Sequence, residues 1–329
     1  MRGWLDVTCR VSKKQIITTK RKSGHKMHPR NRNLERYQIP ALIARLPELA
    51  DYVQPSKRGE DTVNFASPEA VKLLNRALIL NDYGLDLWDF PDANLCPPVP
   101  GRADYLHHMA DLLRENHFGN IPKGPELQVL DVGIGATAIY PIVGIVEYGW
   151  SFVGCDIAKE SLDSVRSIVA ANELLQGLLE VRHQTDASCI LRGVISESDR
   201  FAFTMCNPPF HASAEEAAQG TMRKTKNLSG GKASNPMLNF SGVHKELIYE
   251  GGEMRFIQTL IRESQNYVAN VFWFTTLVSK QSHLKALHAT LRTVRPSEVK
   301  TIPMGTGNKS TRILAWTFVP KEERVHWRC

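Results

Sequence analysis

The sequence predicts a Rossmann-like α/β fold: a seven-stranded, mainly parallel sheet with helices on both faces, preceded by a small helical module and a basic N-terminal arm. Three observations carry this. Apolar β-type runs alternate with helical stretches from residue 127 onward, a Gly-x-Gly turn follows the first run, and an acidic residue closes the second.

Taken in order, residues 1–23 read as an irregular, disordered basic tail. Ser67-Pro68-Glu69 supplies an N-cap, a first-turn proline and an early acid, and Val71, Leu74 and Leu78 give the helix behind it an apolar face ending near Asn81. The proline-rich piece from Phe90 to Gly101 reads as a loop. A second helix is expected around Arg102–Glu115, with Leu106, Met109, Leu112 and Leu113 inward. Residues 24–120 are therefore expected to form the helical module and residues 121–329 the sheet domain. Strands are expected at 127–131, 151–155, 178–182, 200–206, 270–276, 296–302 and 312–319. Helices are expected near 138–147, 159–173, 253–267 and 280–291. The last strand follows a Gly-Thr-Gly turn and reads as antiparallel beside 296–302.

Composition narrows the function classes. No apolar stretch reaches transmembrane length, and Ile16-Ile17 lies among polar and basic residues, so neither a membrane span nor a signal-peptide core is expected. The six cysteines are scattered without a C-x-x-C pair, which argues against a zinc site and a disulfide framework. A reducing, cytoplasmic location, no metal and a monomer are the expectations. The net charge of +7 is concentrated: between Arg10 and Arg36 ten Lys/Arg stand against one acid, Glu35, and the remaining chain is nearly neutral. Such an arm is the footprint of a polyanion, with His25, His28, Asn31 and Asn33 favouring nucleic acid over a membrane surface. A solvated tail without a partner is the alternative. Lys26, His28, Arg30 and Arg32 are the candidate contacts here. Arg223, Lys224 and Lys226, in the long polar stretch between Phe210 and Gly252, are candidates for gripping substrate.

The chemistry-bearing residues sit at expected strand ends. Asp131 and the turn Gly133-Ile134-Gly135, continuing through Thr137, end the first strand, where backbone must turn sharply and approach a ligand. Asp156 ends the second strand, the position that holds ribose hydroxyls of a nucleotide-type cofactor. Gln184 and Asp186, beyond the third, are candidates for the cofactor's adenine. Asn207-Pro208-Pro209-Phe210 ends the fourth. Prolines carry no N–H, so their carbonyls are unshared acceptors, and the Asn207 amide oxygen adds another. Phe210 supplies a ring to stack. That cup suits a flat ring bearing an exocyclic amine. Together, the glycine turn, second-strand acid and Asn-Pro-Pro-Phe imply a class I S-adenosylmethionine-dependent methyltransferase acting on an amino nitrogen. Gly133-x-Gly135-x-x-Ala138 alone also fits an NAD-dependent oxidoreductase, though no proton donor for that chemistry stands out.

The chain resembles the adenine-N6 RNA methyltransferases, comprising the bacterial large-subunit ribosomal RNA methyltransferase F family and its eukaryotic methyltransferase-like relatives. The likeness spans about residues 24–319. It rests on Met27–Asn33, Val63–Val71, Gly101-Arg102-Ala103-Asp104-Tyr105, Asp131–Pro141, Cys206–Phe210 and Glu250-Gly251-Gly252-Glu253. It implies methyl transfer from S-adenosylmethionine to an adenine N6 in large-subunit ribosomal RNA, free or in an assembly intermediate, with Arg102 gripping the methionine carboxylate. The bacterial branch is implied by the lack of a large C-terminal extension. Other amines, in DNA adenine or protein glutamine, and a catalytically silent RNA-binding protein remain as alternatives; glutamine methyltransferases usually follow Asn-Pro-Pro with Tyr, and here Phe210 follows.

Overall fold

The computed structural model describes residues 27–56, 59–213, 216, 248–306 and 309–327. The chain begins with α1 (Ile39–Arg45), which has Pro40 in its first turn, and a 3-10 turn over Pro47–Tyr52. An antiparallel hairpin of β1 (Val53–Pro55) and β2 (Asp61–Val63) follows. Sequence periodicity does not announce these short elements. In α2 (Pro68–Asp82) the cap is the expected one, Ser67 Oγ accepting from the Ala70 N–H at 3.2 Å. The next helix, α3 (Val99–Glu115), starts at Val99 rather than Arg102, because a proline is at home in a first turn and Pro100 sits there.

The remainder alternates as expected: β3 (Gln128–Val132), α4 (Ile139–Tyr148), β4 (Ser151–Asp156), α5 (Lys159–Ala170), β5 (Leu179–His183) and β6 (Phe201–Cys206). Then come α6 (Gly252–Ser264), β7 (Val271–Val278), α7 (Leu284–Val294), β8 (Glu298–Thr306) and β9 (Lys309–Thr317). The seven-stranded sheet has the order β5-β4-β3-β6-β7-β9-β8. Its first five strands run parallel. β9 pairs antiparallel with β8, as expected, and also with β7, so the last strand lies inside the sheet and β8 forms its edge.

Period-two alternation sends neighbouring side chains to opposite faces. Val129 belongs to the core shared with α3, α4 and α5, while Leu130 belongs to the core shared with α6 and α7. The first of these cores also takes in Leu42, Leu74 and Leu78, so the N-terminal helices and the sheet bury one continuous apolar surface.

The described part of the basic arm is folded onto the body, where its candidate nucleic-acid contacts His28, Arg30 and Arg32 engage protein groups. His28 is only 6 % exposed. Its backbone N–H donates to Asp104 Oδ1 at 3.0 Å and its Nε2 lies 2.8 Å from Asp111 Oδ2. Arg30 donates to Asp111 Oδ1 (2.9 Å), the Tyr148 hydroxyl (3.2 Å) and the His107 carbonyl (2.7 Å). The Arg32 guanidinium pairs with Glu147 at 2.6 Å, donates to the Asp82 carbonyl and lies over the Tyr83 ring. Asn31 and Asn33, also buried, donate to Asp104 and Asp82. Arg30 is half-buried and Arg32 exposed; their carboxylate partners come from α3 (Asp111) and α4 (Glu147), while the Asp82 carboxylate of α2 accepts from Asn33. Residues 1–23, Lys26, Arg223, Lys224 and Lys226 lie outside the described residues.

Candidate active site

The parallel strands leave a cavity at their carboxyl ends, where the chain order reverses about β3. Val132–Gly135 and Thr137 form one wall, Cys155, Asp156 and Ile157 the next, and Cys206, Asn207 and Pro209 the third. Gly133 (φ 75°), Gly135 (φ 63°) and Ala138 (φ 49°) are left-handed and curl the chain between β3 and α4. A Cβ on either glycine would meet no atom within 4 Å, so the cavity itself is the space beside them. Thr137 is buried, and its carbonyl accepts the Trp88 Nε1–H at 2.9 Å.

Asp156 braces this curl. Its Oδ2 accepts the Gly135 N–H at 3.0 Å and its Oδ1 the Ala158 N–H at 2.9 Å. Burial raises its pKa, and those two N–H groups oppose the rise. Asp131 is different. It is fully buried, and neither carboxylate oxygen has a hydrogen-bond partner among the described residues. Burial, with the charge of Asp156 added, pushes its pKa up to about 8, against the pull of Arg102.

Arg102 and Tyr140 close the cavity from the helical side. Arg102 Nη1 donates to the Tyr140 hydroxyl at 3.0 Å, and its guanidinium lies over that ring. An orphaned buried carboxylate close to a half-buried guanidinium is an acceptor and a donor awaiting an amino acid's ammonium and carboxylate. With the open glycine curl and Asp156, the donor set fits S-adenosylmethionine.

The adenine-side candidates separate. Gln184 lines the cavity but is occupied in the loop: its Nε2 donates to the Arg192 carbonyl at 2.8 Å, and its Oε1 accepts the Asp186 N–H at 2.9 Å. The Asp186 carboxylate is not on the wall. It holds Ser188, Cys189 and Arg192, and the Ser188 hydroxyl, foremost among these, depresses its pKa. Both stabilise the loop that brings Ala187, Cys189 and Ile190 to the cavity.

At the tip of β6, Asn207 is half-buried on the cavity wall, and its side-chain amide makes no hydrogen bond among the described residues. Pro209 lines the cavity too. Pro208 is buried, Phe210 is half-buried, and neither is on the wall. The aromatic surface there comes instead from Tyr249 and Phe256, packed edge to face at 5.1 Å, which the sequence reading missed. Tyr249 reaches the site because its N–H donates to the His211 carbonyl at 3.1 Å, beside a bridge between His211 and Ile248. Close by, buried Glu253 accepts the Ser279 N–H at 2.7 Å and lies 2.6 Å from His283 Nδ1, which ties α6 to the end of β7.

A family profile described as RNA methyltransferase matches residues 21–320. Among curated proteins, the ribosomal RNA large subunit methyltransferase F of Cytophaga hutchinsonii is 49% identical over 302 residues, covering 92% of this chain and 94% of its own. Its namesake in Pseudomonas aeruginosa is 49% identical over 310 residues, covering 94% and 92%. Among solved structures, the hMettl16 catalytic domain in complex with MAT2A 3'UTR hairpin 1 aligns with a TM-score of 0.74 at 29% identity, over 89% of this chain and 96% of that one. The N-terminal domain of human METTL16 in complex with SAH aligns with a TM-score of 0.69 at 26% identity, over 89% and 99%.

Proposed function

The chain belongs to the RNA methyltransferase family that includes these large-subunit ribosomal RNA methyltransferases F, and from that premise we propose that it methylates the N6 amine of an adenine in large-subunit ribosomal RNA, with S-adenosylmethionine as donor. The observation that carries the reading is that the Asn207 amide, without a hydrogen bond among the described residues, lines the same cavity as the glycine curl and Arg102.

Bound S-adenosylmethionine supplies an electrophilic methyl on a sulfonium. The chain's own residues do the rest. Asp131 accepts from the ammonium, Arg102 donates to the carboxylate, and Asp156 uses its remaining lone pairs on the ribose. Adenine N6 is a weak nucleophile because its lone pair is delocalised into the ring. Hydrogen bonds from that amine to the Asn207 side-chain oxygen and the Pro208 carbonyl favour a pyramidal nitrogen and aim it at the methyl. Tyr249 and Phe256, which line the cavity, hold the ring in place of Phe210. A paired adenine cannot reach such a site, so the base enters unpaired or flipped out. In this reading the module over 24–120 grips the cofactor through Arg102. Phosphate contacts fall to Lys26, Arg223, Lys224 and Lys226 rather than to buried His28.

The test is incubation with labelled S-adenosylmethionine and large-subunit ribosomal RNA from a strain lacking the enzyme, followed by nucleoside analysis. Label in N6-methyladenosine is expected. Label confined to DNA or to protein would replace the RNA substrate, and no label at all would remove the reaction.

A further inference from the structure

Backbone pairing between β6 and β7 ends short of the catalytic tip. Phe201 stands opposite Val271 and Phe203 opposite Trp273, and pairing stops there, although β6 continues to Cys206 and β7 to Val278. Buried backbone groups need partners, and side chains provide them. The Thr275 N–H donates to Thr204 Oγ1 at 3.1 Å, and the Thr275 hydroxyl donates to the Thr204 carbonyl at 2.6 Å. From α3, the Tyr105 hydroxyl reaches into the same gap, 2.6 Å from Thr275 Oγ1 and 3.4 Å from the Cys206 nitrogen.

The two ends fix the direction of every proton in this chain. The Thr204 carbonyl only accepts, so the Thr275 proton goes to it. Thr275 oxygen must then accept from Tyr105, and Tyr105 oxygen is left to accept the Cys206 N–H. Thr204, Thr275 and Tyr105 are fully buried and Cys206 is 1 % exposed, so water does not substitute for a missing member. Burial also holds the Tyr105 phenol well above its ordinary pKa, which keeps its proton in place. Cys206 is the residue immediately before Asn207. Tyr105 is also one turn along α3 from Arg102, and its ring meets Tyr140, Arg102's partner, edge to face at 5.6 Å.

We propose that Tyr105 is a positioning residue for methyl transfer, holding the end of β6 through Thr275 and the Cys206 N–H so that Asn207 and Pro209 face the bound cofactor. The idea rests on the functional reading above. Because near-attack geometry tolerates little displacement, loosening the tip lowers turnover without touching the residues that hold the cofactor.

Tyr105→Phe deletes one oxygen and keeps the ring that fills the core. Expected are an S-adenosylmethionine affinity and KM for RNA close to those of the unaltered chain, and a kcat lower by about tenfold. Thr275→Val should do the same, Thr275→Ser should restore turnover, and combining Tyr105→Phe with Thr275→Val should be no worse than the poorer single variant. Hydrogen exchange of the peptide spanning 201–210, followed without RNA, should quicken in Tyr105→Phe. An unchanged kcat in Tyr105→Phe, or a fall in kcat without faster exchange, overturns the proposal. If the unaltered chain methylates no RNA, the functional reading fails, and the exchange measurement still decides whether Tyr105 holds β6.

Discussion

Asp131 and Asp156 lie at the carboxyl ends of neighbouring parallel strands, yet Asp156 accepts two backbone N–H groups while neither oxygen of Asp131 has a hydrogen bond among the described residues. The contrast makes Asp131 the titrating group of the site. With its pKa pushed up to about 8, it is largely protonated at neutral pH. An arriving ammonium favours the carboxylate, so cofactor binding should release a proton and tighten as pH rises from 6 to 8. Calorimetry in two buffers of different ionisation enthalpy reads the proton directly. Binding enthalpies that do not depend on the buffer would remove Asp131 from the ammonium role.

The same shift acts on stability. In the unfolded chain Asp131 ionises near pH 4, whereas in the folded chain it holds its proton to about 8. The unfolded state therefore loses its proton first, and stability contributed by this residue declines between those two values. Asp131→Asn should abolish that decline, raise the melting temperature of the free protein at pH 8 and weaken cofactor binding. Equal melting curves for variant and parent at pH 8 would show that the burial penalty is relieved in some other way.

Asn207→Ala should remove the amine's acceptor while leaving the cofactor contacts alone. Losing a hydrogen bond made in the transition state should cost at least about tenfold in kcat. Retention of most activity in a quantitative methylation assay would take Asn207 out of the catalytic role.

Arg102→Ala and Asp156→Asn should both weaken cofactor binding, and a melting curve separates them. Among the described residues the Arg102 side chain hydrogen-bonds only Tyr140, so its loss should leave stability nearly unchanged. Asp156 holds the Gly135 curl and the entry to α5 through two backbone N–H groups, and an amide has a single oxygen to serve both. Its variant should melt lower as well. Unaltered affinity in either case would withdraw that residue.

The strand tips were legible because each joins a local pattern to a sheet-wide rule. A β-run ending in Asp131 and the glycine turn, another ending in Asp156 and a third ending at Asn207 must align at one edge once the strands are parallel. What escaped the reading depends on distant partners. Tyr249 reaches the cavity through its bond to His211, and Phe256 packs against the Tyr249 ring. Asp186 looks like a cofactor ligand in sequence, but its neighbours Ser188, Cys189 and Arg192 engage it first. The folding of the arm onto the body was hidden for a related reason. Charge counted along the chain omits carboxylates that come from Asp82, Asp111 and Glu147, far away in sequence. The splice made by β9 depends on a strand order that periodicity does not contain.

That arm gives the last prediction. His28, Arg30 and Asn31 tie the N-terminal segment to α3, and Arg32 and Asn33 tie it to α2 and α4. A truncation beginning at Leu34 should therefore lower the melting temperature, because Asp104 loses His28 and Asn31 and Asp111 is left with Arg114, whereas one beginning at Gly24 should not. Arg30→Ala should destabilise too, with each lost charge-assisted bond worth roughly 1.5–3 kcal/mol at most. The layer beneath is acid-sensitive. Burial, foremost, brings His107 down to about 3 and His108 to about 4. The unfolded chain takes up those protons near pH 6.5, so their contribution is complete above that value and is lost as pH falls toward 4 and 3. In RNA binding, Arg30→Ala should leave the slope of affinity against salt as it was, since a guanidinium already paired with Asp111 releases no counterions. A shallower slope with unchanged melting would return Arg30 to the phosphate contacts.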